Sequence, residues 1–132
     1  MRYIGCLFIC LLWLLRATAL FAVSNDQKPI LIICSYNPAA HQTSVTISDY
    51  MEEYSKLGGK RDIIIENMNC KSFSEAPLWS GMMTQILSKY QGEKHPAQII
   101  LLGQEAWAAY LSQRDSIQVK VPVMCSLVSS NI

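Results

Sequence analysis

Residues 30–44, ILIICSYNPAAHQTS, pass from an apolar run ending in Cys34 through Ser35, Tyr36, Asn37 and Pro38 into a segment of helical composition. A short run of Ile and Leu that does not alternate with polar residues reads as a strand covered on both faces. The residues that follow it are rich in hydrogen-bonding groups where a plain Gly-Ser turn would do. Three more runs share the apolar character: 62–68, 97–102 and 121–126. Together with 29–34 they make four expected strands.

Amphipathic segments separate them. Ile47, Tyr50, Met51, Tyr54 and Leu57 recur at helical spacing, with Ser48, Asp49, Glu52, Glu53 and Lys56 on the other side and Gly58 and Gly59 as the stop. Trp79, Met82, Met83, Ile86 and Tyr90 form a second stripe, with Pro77 suited to a first turn and Lys89 and Gly92 to the end. That stripe reads as core, not as a recognition surface. A shorter third helix is expected from Gln104 through Ala106, Trp107, Tyr110 and Leu111. The order β-α-β-α-β-α-β predicts an α/β fold: a three-layer, parallel, Rossmann-like sheet with right-handed crossovers.

In such sheets ligands sit beyond the carboxyl ends of the strands, where loops converge and helix N-termini present unpaired N–H groups. Ser35, Tyr36 and Asn37 follow the first strand, Lys71 the second, Gln104 and Glu105 the third, and Ser126 ends the fourth. These seven are the candidate ligand-binding residues. Asn37 is expected to cap the first helix and Pro38 to open it, leaving Ser35 and Tyr36 to face a crevice.

The chain begins with a secretory pattern: Met1 and Arg2, an apolar stretch from Cys6 to Leu15, then Ala17, Thr18, Ala19 and Ala22 as small residues for cleavage. Arg16 cuts the run to about 10 residues, short of the ~20 that span a bilayer. Residues 1–22 are therefore read as a signal peptide or signal anchor, with cleavage favoured, and 23–28 as a linker. Cys6 comes too early and Cys10 follows Ile9, so a lipoprotein anchor is not expected. The formal net charge of +1 becomes −1 without Arg2 and Arg16, and scattered charges leave no basic stripe for nucleic acid. Cys34, Cys70 and Cys125 remain beyond the signal. Cys34 and Cys125 read as small buried hydrophobes, with a Cys34–Cys70 bridge as the alternative.

Several chemistries lack their signatures. No glycine-rich phosphate loop follows a strand, His41 and His95 stand alone, and no zinc spacing occurs, so neither cofactor nor metal is expected. No catalytic residue is assigned. The rival enzymatic reading is a hydrolase using Ser35 or Cys34 as nucleophile, without a base marked for either.

Ser35, Tyr36, Asn37 and Pro38, then Met68, Asn69, Cys70 and Lys71, then KYQGEKHPAQIILLGQEAW at 89–107, then Val121, Pro122, Val123 and Met124 occur in an order that resembles an ABC-transporter substrate-binding-like domain. That group has the type 1 periplasmic-binding-protein fold and often forms the extracytoplasmic sensor portion of bacterial histidine kinases. The likeness covers about 29–130 and matches the family at Ser35, Tyr36, Pro38 and Lys71. It departs where Asn37 replaces His, where Asn69 and Cys70 replace Asp-Thr, and where Gln104 and Glu105 stand in place of an acidic pair.

The resemblance implies one lobe, the N-terminal one at 29–132, of a clamp that closes on a small-molecule ligand. It implies as partners a C-terminal lobe or a membrane-bound kinase portion, is compatible with a dimer, and places the domain in the periplasm or on the extracytoplasmic side of the inner membrane. The alternative it offers is a periplasmic solute-binding protein of an ABC transporter.

Overall fold

A computed structural model describes residues 27–117 and 120–126. The expected signal, residues 1–22, lies outside them. In chain order the elements are β1 (Ile30–Cys34), α1 (His41–Lys56), β2 (Ile63–Asn67), α2 (Ala76–Ser88), β3 (Gln98–Leu102), α3 (Gln104–Leu111) and β4 (Val123–Ser126). Single 3₁₀ turns at Phe73–Glu75, Gly92–Lys94 and Arg114–Ser116 join some of them.

All pairings are parallel, in the order β2-β1-β3-β4, with Cys34 level with both Asn67 and Leu102, and Leu102 level with Ser126. The expected α/β layering is present. The chain steps from β1 outward to β2, then crosses back over β1 to β3 and continues to β4. The connections leaving β1 and β3 therefore diverge, and a crevice opens between these neighbours at their carboxyl ends.

Each strand face has its own core. Leu31, Ile33, Ile99 and Leu101 pack with Trp79, Met83 and Ile86 of α2 and Ala106, Ala109 and Tyr110 of α3. On the other face Ile30, Ile32, Cys34, Ile100 and Leu102 meet Ile47 of α1, with Tyr50 and Tyr54 beside it. Continuous apolar runs in β1 and β3 follow from this double cover, since every position faces a helix. The outer strands are covered less fully than their apolar sequences predict: Ile65 of β2 and Met124 of β4 are 40% and 45% exposed. A helix spans only about 10 Å, so one α1 cannot roof both edges of its face.

α1 starts later than expected. Asn37 does not cap it; its Oδ1 accepts the Ala39 N–H at 2.9 Å, while the Ala40 N–H donates to the Asn37 carbonyl at 2.9 Å. This is a β-turn with Asn first and Pro38 second, the positions each favours, and it ends before the helix begins at His41. At the other end Gly59 N–H reaches back to Tyr54 O and Gly58 N–H to Ser55 O. That double closure needs a left-handed residue, and Gly58 has φ +80°. Pro77 sits in the first turn of α2, as expected.

No helix among the described residues is long and apolar enough to cross a membrane.

Candidate functional site at the carboxyl edge of the sheet

Backbone hydrogen bonds lace the four strand exits together. Ser35 N–H donates to Leu102 O, Met68 N–H to Cys34 O, Cys70 N–H to Ser35 O and Gly103 N–H to Ser126 O, all at 2.8–3.0 Å. Ser35 is the centre of this lacing. It is fully buried, and its Oγ accepts the Ala106 N–H at 2.9 Å, which caps the first turn of α3 from another loop. Gly103 makes that approach possible: with φ +105°, a Cβ on it would lie 2.4 Å from Ser35 Oγ. Ser35 therefore holds β1 and α3 in register and does not face a crevice.

Tyr36 and Glu105 do meet across the switch point. The phenol donates to Glu105 Oε1 at 2.5 Å, and Tyr36 remains 44% exposed. Its pKa is pushed up to about 12, first by this hydrogen bond, then by desolvation and the charge of Glu105, with a smaller push from Cys70. Burial, and after it the charges of Glu105 and Glu75, push the Cys70 thiol up to about 11. A neutral phenol is thus held against an acidic site that favours hydrogen-bond donors and positive charge.

The other candidates lie around this pair. Gln104 opens α3 and is half-buried. Lys71 is exposed, its backbone N–H accepted by Glu75 Oε2 at 3.0 Å. Asn37 is exposed with its side-chain oxygen committed to the turn, and Ser126 is half-buried at the end of β4. Asn69, between the Met68 and Cys70 amides that bond to the β1 exit, adopts a left-handed φ of 55°, with its N–H bonded to Asn67 Oδ1 at 2.7 Å. Asn tolerates that conformation because its short polar side chain bonds locally.

Glu75, at the end of the 3₁₀ turn before α2, is a member of this edge that the sequence did not single out. Its carboxylate takes the Lys71 backbone N–H, and a bond to a main-chain donor leaves no residue pattern by which the sequence could have marked it.

The nucleophile reading loses its geometry. Cys34 is fully buried and burial pushes its thiol up to about 11, while Ser35 Oγ is occupied by a backbone donor. His95 lies before β3, at the opposite end of the strands. Cys34 and Cys70 are both free and belong to the cores on opposite faces of the sheet, which rules out the alternative bridge. Cys125, expected to be buried, is exposed on the β4 edge. No cluster of metal-binding side chains occurs among the described residues.

The chain matches no family model, no curated protein and no solved structure.

Proposed function

We propose that this chain is the small-solute-sensing lobe of an extracytoplasmic sensor domain carried by a membrane-bound histidine kinase. The observation that carries the reading is the Tyr36–Glu105 contact, which sets a half-exposed aromatic ring and a carboxylate side by side at the β1/β3 switch point. A ligand gains an apolar face from the ring and an acceptor from the carboxylate; Gln104 precedes Glu105 in the chain, and Lys71 follows Cys70, whose N–H bonds to Ser35 O, so both stand at the same edge to extend the contact. The rim is open, as one wall of a two-lobed cleft would be. In that arrangement the solute binds the closed form more tightly than the open one, and this difference in affinity drives the hinge. The sensor setting comes from the motif resemblance at Ser35, Tyr36, Pro38 and Lys71.

A thermal-shift screen of the complete extracytoplasmic region against small metabolites tests the proposal. A ligand at about 100 times its Kd stabilises by ~2.7 kcal/mol, which raises Tm by roughly 5–10 °C in a two-lobed region of about 150–250 residues. Tyr36→Ala and Glu105→Gln should each abolish most of that shift. A ligand that binds both variants as tightly as the parent would remove the rim from the mechanism. Permease genes beside this one, in place of a kinase core, would transfer the same wall to a transporter's solute-binding protein.

A further inference from the structure

A partly open cavity of about 190 Å³ lies at the other pole, between the second half of α2, the loop that enters β3 and the 3₁₀ turn after α3. Its floor is Pro96 and Ile99, both buried, and its aliphatic walls are Leu87, Ile117 and Val121. Ile99 lies at the start of β3, Pro96 and Val121 just before β3 and β4, Ile117 in the connection into β4 and Leu87 near the end of α2, so the cavity sits at the amino edge of the sheet, a strand's length from Tyr36 and Glu105.

Polar groups also line it, but most are turned toward protein partners. The Tyr90 hydroxyl donates to Glu66 Oε1 at 2.7 Å. His95 has Nδ1 against the Pro96 carbonyl at 3.0 Å and Nε2 against Lys28 Nζ. The Thr84 hydroxyl donates to Ser80 O at 2.9 Å and accepts from Gln113 Nε2 at 2.6 Å. Gln113 Nε2 is further tied to Ser80 Oγ at 3.0 Å. With these donors and acceptors spent, a charged or strongly polar occupant would lose its hydration and recover few hydrogen bonds. An apolar occupant gives up no hydrogen bonds by entering, and it gains contact with Leu87, Ile99, Ile117, Val121 and the ring of Tyr90.

Size narrows the class further. Apolar cavities of ~150 Å³ take up benzene, so about 190 Å³ admits a ring of roughly six to nine heavy atoms. We propose that this cavity is a second binding site, separate from the rim, for a small uncharged ring compound with little polar surface.

Saturation-transfer NMR on the full chain, with toluene and indole as probes, tests this. Both probes should receive saturation from the protein. Val121→Phe and Leu87→Phe each place a ring in the cavity and should weaken probe binding at least tenfold, with folding checked by circular dichroism. Tyr36→Ala should leave probe binding unchanged, which separates this site from the rim and keeps the two proposals independent. Absence of saturation transfer to either probe overturns the inference, and so does equal binding by the parent and by whichever filling variant folds.

Discussion

Replacing Ser35 by alanine removes the acceptor for the Ala106 N–H at the start of α3 and leaves that buried donor without a partner. The expected loss is about 1–3 kcal/mol, read as a lower urea midpoint at unchanged slope. A midpoint equal to the parent's would mean that Ser35 does not hold the switch point. Gly103→Ala should cost about 2 kcal/mol or more in the same assay, because a Cβ would strike Ser35 Oγ from a backbone that side chains rarely adopt. Tyr36 gives a separate test. Its phenol is pushed up to about 12 chiefly by the bond to Glu105, so Glu105→Gln should bring the Tyr36 titration, followed by NMR of labelled Tyr rings, back toward its ordinary value. An unchanged titration would place the cause elsewhere. Sequence alone made Ser35 and Tyr36 equivalent: two polar residues leaving a buried strand. They differ because the partner of Ser35 lies 71 positions further along the chain, and only the adjacency of β1 and β3 brings it close. Asn37 and Pro38 were more legible than the helix-cap reading allowed, since Asn followed by Pro is itself a turn signal.

At the level of elements, unbroken apolar runs placed the four strands and apolar periodicity the three helices within a few residues, because each strand is short and oily and each helix carries one coherent stripe. What periodicity could not reveal is how the outer strands are protected. Glu66 interrupts the apolar run of β2 and faces the end of α2, where Lys89 Nζ lies 3.0 Å from both of its oxygens and the Tyr90 hydroxyl donates at 2.7 Å. Burial pulls Glu66 upward, but the hydrogen bonds from Tyr90 and Lys89 together with the Lys89 charge outweigh it and leave its pKa below the ordinary value. A depressed carboxylate contributes stability above its unfolded pKa and loses it as pH falls through the folded one. Glu66→Gln should therefore cost about 0.5–1 kcal/mol at neutral pH, a modest figure because the Lys89 head is solvated. The difference from the parent should close below about pH 4. A gap that persists in acid would show that the tie acts through shape, not charge.

For the whole molecule, the alternation of elements implied a parallel sheet, yet the order β2-β1-β3-β4 depends on the chain reversing direction after β2, and no local signal records that reversal. The reversal creates the rim, so the residues of the site were legible individually while the Tyr36–Glu105 pairing was not. At separate places the fold also holds groups whose protons it retains. Burial pushes Cys34 and Cys70 up to about 11; the Glu105 hydrogen bond pushes Tyr36 up to about 12, and burial followed by Glu66 does the same for Tyr90. All four shifts have one sign. As pH rises past the ordinary thiol and phenol values, the unfolded chain releases these protons while the folded chain keeps them, so ionisation favours unfolding. Stability should be level up to about pH 8 and fall steadily toward the folded values, with the thiols acting first because their ordinary pKa is lower. Melting curves across that range check the sign, and a Cys34→Ala, Cys70→Ala double variant identifies the source. The double variant starts lower, because buried sulfur is lost, but its Tm should decline less steeply between about pH 8 and 10 than the parent's. Parallel slopes for the two proteins would mean that these thiols ionise as freely in the fold as in the unfolded chain, which a double-layered sheet burying both could not allow.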